Sequence, residues 1–175
     1  MKTLKLLTAT MLLLVAMAAG AETISDVTIG NLVYSLDTDT KVATVTGYDR
    51  SNKPMDVVIP NTIEYGGNYS VTTIGERAFY SCSSLASIDI PNSVTTIGEW
   101  AFFECSSLAS IDIPNSVTTI GEGAFLGCTS LASIDIPNSV TTIGEQAFSD
   151  CSSLASVTIP NSVTTIGEYA FWVCI

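Results

Sequence analysis

The sequence repeats itself every 23 residues, and nothing else in it restricts the fold as tightly. VTTIGERAFYSC begins at residue 71, VTTIGEWAFFEC at 94, VTTIGEGAFLGC at 117, VTTIGEQAFSDC at 140 and VTTIGEYAFWVC at 163. The segments between them agree as closely: SSLASIDIPNS from Ser83 and again from Ser106, TSLASIDIPNS from Thr129, SSLASVTIPNS from Ser152. A unit this short cannot bury its own apolar face. Stacking copies can, which makes a repeat solenoid the only compact solution.

Each unit decodes into parts. SIDIP alternates small or polar residues with Ile, so Ile88 and Ile90 point inward while Ser87 and Asp89 point outward, as on one short strand. Pro91 removes a backbone donor and ends the strand, and Asn92 and Ser93 turn the chain. Val94 and Ile97 return to the interior. Gly98 is read as supplying a backbone angle closed to other residues, and Glu99 to Phe103 as one short helical turn. Phe102 and Cys105 close the coil. The expected fold is therefore β-rich and leucine-rich-repeat-like, with one short parallel strand and a short helical turn per 23-residue coil, and coils about 4.8 Å apart.

The unit LxxIxIPxxVxxIGxxAFxxC resembles the BspA-like, or treponemal-type, leucine-rich repeat of bacterial surface proteins, and it covers residues 71–175. The resemblance implies adhesion to host matrix proteins or to other cells. Upstream, DVVIPNTI at 56–63 looks like a modified first coil, and residues 31–36 and 41–47 alternate around 37–40 as a β-hairpin suited to capping the stack. Three segments are thus expected: a leader at 1–21, the hairpin cap and modified coil at 22–70, and the solenoid at 71–175. The last unit stops short at Cys174 and Ile175, so the reading also expects a truncated end, or one covered by another chain, with end-to-end self-association as one form of cover.

Lys2 and Lys5 precede an apolar run from Leu6 to Ala19, and Ala19, Gly20 and Ala21 form a small-residue cleavage pattern. This reads as a signal peptide, too short and interrupted for a membrane span of about 20 residues. No later stretch is apolar enough to span a bilayer, so the chain is expected to be secreted or held at the cell surface. Six Lys and Arg stand against 17 Asp and Glu, a formal charge of -11, which repels nucleic acid. The absence of His removes the usual general base and every His-containing zinc site. The acids outside the repeat, Asp26, Asp37, Asp39, Asp49, Asp56 and Glu64, show no paired partner of the kind a carboxylate-dependent glycan-cleaving enzyme needs. No cofactor or metal motif is present, and a noncatalytic scaffold is expected.

Cys82, Cys105, Cys128, Cys151 and Cys174 recur at one step of the coil and are read as buried unpaired thiols, because stacked parallel side chains bridge poorly. Asp89, Asp112 and Asp135 form a column on the outward strand face, read as solvated rather than as a calcium ladder. Three positions change freely from unit to unit: Arg77, Trp100, Gly123, Gln146, Tyr169; then Tyr80, Phe103, Leu126, Ser149, Trp172; then Ser81, Glu104, Gly127, Asp150, Val173. The stack does not need them, so they are expected to face outward. Tyr80, Phe103, Trp100, Tyr169 and Trp172 make this face a candidate contact surface for a protein or glycan outside the cell, with packing on one another as the alternative. Asp89, Asp112 and Asp135 are the candidates on the opposite face. A third reading is a spacer belonging to a larger surface protein.

Overall fold

The structure, a computed structural model, describes residues 22–51 and 53–174. The expected leader at 1–21 lies outside them. The described residues open with three antiparallel strands, β1 (Thr23–Ile29), β2 (Leu32–Asp37) and β3 (Val42–Tyr48), so the hairpin read from the sequence is present with an additional strand before it. β4 (Asp56–Val58), β5 (Thr62–Glu64) and β6 (Asn68–Ile74) make the modified first coil, with β5 and β6 paired antiparallel around the inserted residues. The repeat contributes β7 (Ser87–Asp89), β8 (Thr96–Ile97), β9 (Thr119–Ile120), β10 (Ile134–Asp135), β11 (Thr142–Ile143), β12 (Val157–Thr158) and β13 (Thr165–Ile166).

Two ladders run along the stack. One is continuous: β3, β6, β8, β9, β11 and β13 pair in parallel, Thr on Thr and Ile on Ile from β6 onward. The other, on the SIDIP segments, is formed in pairs, with β4 on β7, β10 on β12 and a single bridge between Asp112 and Asp135. The strand expected at SIDIP thus forms at Ser87–Asp89, Ile134–Asp135 and Val157–Thr158 but shrinks to a single bridge at Asp112, whereas the Thr-Ile step pairs in every coil and makes the unbroken sheet.

The core is a set of columns. Val94, Ile97, Ala101, Phe102, Cys105 and Leu108 are fully buried, and the same six positions in the next coil, Val117, Ile120, Ala124, Phe125, Cys128 and Leu131, are equally inaccessible. Phe79, Phe102, Phe125, Phe148 and Phe171 stack nearly parallel at centroid separations of 5.2–5.3 Å. Tyr48 of β3 continues this column at 6.0 Å from Phe79, and the Gly75 N–H donates to the Val45 carbonyl at 2.8 Å. The cap therefore docks as if it were a preceding coil. Burying each phenyl contributes about 1.5–3 kcal/mol, but only because its neighbour in the next coil keeps water off its face.

Two expectations from the sequence need correction. The segment from Glu99 to Phe103 is not a helical turn. Trp100, Phe102 and Glu104 donate their N–H groups to Glu122, Ala124 and Leu126 of the next coil, each at 2.8 Å, while Ala101, Phe103 and Cys105 bond back three residues within the coil. Half of the donors a helix needs for i to i−4 bonds are used between coils. The backbone alternates to allow this, with Trp100 at φ 49° and Glu104 at φ 52°, and the same two positions are left-handed in every coil. Gly98 likewise has no special φ. A Cβ there would sit 2.9 Å from Glu76 N and Gly75 C, so its glycine permits close approach of adjacent coils.

Candidate functional site

With the inner positions consumed by packing and the Thr-Ile steps by the sheet, two outer faces remain. On the strand face Asp89, Asp112 and Asp135 are all exposed and stand in one column, as expected. Their backbones belong to the broken ladder, and Asp56 above them accepts a hydrogen bond from Ser87 Oγ at 2.6 Å. The threonines on the adjoining edge are occupied: Thr95, Thr118, Thr141 and Thr164 donate their hydroxyls to the carbonyls of Thr72, Thr95, Thr118 and Thr141 one coil back, at 3.2–3.4 Å.

The turn face is built differently. Its three variable columns sit on the alternating backbone described above, and the first and third hold the left-handed residues. Tyr80 and Phe103 stack at 4.6 Å with 14° between the rings, both half-buried. Arg77 lays its guanidinium 4.4 Å over the Trp100 ring and 6.0 Å from Tyr80, and bonds Glu76 at 2.8 Å. Trp100 in turn lies across Gly123, whose absent side chain leaves the space for the indole. At the far end Tyr169 and Trp172 meet edge to face at 6.3 Å, each 58% exposed. The structure therefore brings Tyr80, Trp100 and Phe103 into one cluster and Tyr169 and Trp172 into another. Ser149, expected to point outward, is only 1% exposed, and Gly123, expected to do the same, lies buried beneath the Trp100 indole; both are corrected to buried positions.

Between the two clusters the surface dips into an open groove of about 670 Å³. Phe103 and Leu126 line it together with the hydroxyl residues Ser81, Ser83, Ser106 and Thr129, and Glu104 and Asp150 contribute carboxylates. Gly127 (φ 75°) lies between these acids in the third column and contributes no side chain. Ser81 Oγ donates to Glu104 Oε2 at 3.1 Å. Sequence reasoning placed these residues among the variable positions without seeing the groove. The signal was there, in the single glycine, Gly127, between Glu104 and Asp150 in the third variable column.

The ionisable groups with altered acidity are structural. In the β2–β3 turn, the backbone N–H of Thr40 and then of Asp39 hold the Asp37 carboxyl below its ordinary pKa, and Ser51 does the same for Asp49. The five cysteines are unpaired. Cys105, Cys128, Cys151 and Cys174 donate their thiols to the carbonyls of Phe79, Phe102, Phe125 and Phe148 at 3.1–3.2 Å, which fixes each sulfur to the preceding coil. Among the described residues no three Cys, Asp or Glu side chains converge to hold a metal ion. Nor is any helix among them long and apolar enough to cross a membrane.

Comparison with known proteins agrees with this architecture. The sequence pattern of the BspA type leucine-rich repeat region matches residues 56–175 in six copies. No curated protein matches the chain. A solved leucine-rich repeat protein from Bacteroides ovatus is 39% identical with a TM-score of 0.78, over 83% of this chain and 38% of its own. The leucine-rich repeat protein of T. pallidum is also 39% identical, with a TM-score of 0.76, over 82% of this chain and 64% of its own. A leucine rich cell surface protein from Faecalibacterium prausnitzii is 31% identical with a TM-score of 0.66, over 87% and 46% of the two chains. The present chain thus spans less than two thirds of the length of each. Its repeat of buried Leu, Ile, Val, Phe and Cys, its cap and its coil stacking place it in that company, and the chain belongs to the BspA-type leucine-rich-repeat family.

Proposed function

We propose that the chain is a noncatalytic binding scaffold, presented at the cell surface or secreted, that holds a protein or glycan partner against its turn face. The observation that carries this reading is the division of labour among positions. Residues that stack are repeated from coil to coil, whereas the solvent-facing aromatics Trp100, Phe103, Tyr80, Tyr169 and Trp172 differ and gather into two clusters. Large exposed aromatics supply contact area at low entropic cost and dominate many protein interfaces. The family's binding or scaffold role and the cell-surface relative from Faecalibacterium prausnitzii support the same placement. The leader read at 1–21 supports export.

The test is a screen of purified protein on panels of matrix proteins and glycans, with Trp100→Ala and Trp172→Ala beside Asp112→Ala. Loss of binding with the tryptophan changes alone supports the turn face. Loss with Asp112→Ala alone moves the site to the strand column of Asp89, Asp112 and Asp135. No binding on either panel refutes the reading and favours a spacer.

A further inference from the structure

The groove between the aromatic clusters has a chemistry that its neighbours lack. From Ala78 to Cys174 every coil carries carboxylates and not one Lys, Arg or His occurs, so a cationic partner meets attraction along the whole length. Most of these acids repeat. Glu104 and Asp150 do not: they stand on the groove rim two coils apart, each coil step being 5.2 Å between the stacked phenyl rings, with only Gly127 between them. Phe103 and Leu126 supply the apolar part of the wall, beside the hydroxyl residues Ser81, Ser83, Ser106 and Thr129. Apolar surface beside two separated carboxylates suits a planar cation that stacks on its face and donates in its plane, which describes guanidinium better than ammonium. The protein makes this arrangement with its own residues at the head of the same face, where Arg77 lies 4.4 Å over Trp100 while bonding Glu76.

We propose that this groove seats arginine side chains of an extended segment of a partner protein. Arginines at alternate positions of such a segment share one face with Cα atoms about 7 Å apart, and their flexible stems span the rest of the distance to Glu104 and Asp150. This rests on the binding-module reading and assigns it a partner chemistry.

The probe is a capped, fluorescein-labelled Gly-Arg-Ser-Arg-Gly peptide, followed by fluorescence polarisation against the full protein, with Gly-Lys-Ser-Lys-Gly and spermidine as competitors. Glu104→Gln combined with Asp150→Asn is expected to weaken binding by about tenfold or more, since each lost hydrogen bond is to a charged group. Gly127→Asn, which fills the groove with a residue that accepts a left-handed backbone and alters no charge, is expected to weaken it comparably. Asp26→Asn combined with Asp39→Asn removes the same charge at the other end of the chain and leaves affinity unchanged; circular dichroism verifies that each variant is folded. Equal losses from both double variants, an unaffected Gly127→Asn, or competition by the lysine peptide or spermidine as strong as by the arginine peptide overturns the proposal. If the peptide fails while the matrix or glycan panels still bind, the groove assignment falls and the scaffold reading stands; if both fail, both fall.

Discussion

The cysteines show how one side chain serves the stack. Each buried thiol fills a small inward position and also satisfies a carbonyl of the previous coil. Burial pushes Cys105 and Cys151 up to about 12 and Cys128 well upward. The unfolded thiol titrates near 8.5, so folded and unfolded chains hold these protons alike below that pH and stability is undiminished there. Above it the unfolded chain ionises first. Stability is expected to fall by about 1.4 kcal/mol per pH unit for each such thiol until the folded groups themselves ionise. Urea melts at pH 8, 9 and 10 measure this, and a flat profile would contradict it. Iodoacetamide at pH 8 is expected to label half-buried Cys174 in the native protein, and Cys105, Cys128 and Cys151 only on unfolding.

At the scale of the element, the coil is defined by how closely its neighbour approaches. A Cβ on Gly121 would lie 2.7 Å from Gly98 C and 2.8 Å from Glu99 N, backbone atoms that move only if the coils separate. Gly121→Ala is expected to cost about 1–3 kcal/mol, whereas Gly47→Ala, whose Cβ would meet only Val33 Cβ at 3.9 Å, costs about 0.5 kcal/mol or less. Phe125→Ala, in the middle of the phenyl column, is expected to cost about 3–5 kcal/mol. Denaturant midpoints rank all three, and an order that puts Gly47→Ala last in stability would refute the close-approach argument. The turn segment teaches the same lesson: its residues could form a helix, yet the donors of Trp100, Phe102 and Glu104 find better partners across the coil boundary.

For the whole molecule, stability is a sum over coils and the contacts between them. Deleting residues 117–139 removes one period and lets the coil beginning at Val94 stack on the one beginning at Val140, with Phe102 meeting Phe148. The shortened protein is expected to fold with the same β signature by circular dichroism, and to lose both unfolding free energy and m-value, because less surface is buried. A chain that fails to fold would show that the coils are not interchangeable. By itself the sequence determined the period, the inward columns of Val, Ile, Phe, Cys and Leu, the strand at SIDIP, the hairpin and the family, because these follow from the pattern of apolar residues along the chain. The tertiary structure alone decided which backbone groups bond within a coil and which between coils, and so converted the expected helical turn into an alternating one. It also decided that Glu104 and Asp150, 46 positions apart in sequence, flank one groove. Sequence spacing says which residues share a column, but the Trp100 ring lying over Gly123 and the Glu104 side chain beside Gly127 set the shape between columns, and those depend on contacts with the coils on either side.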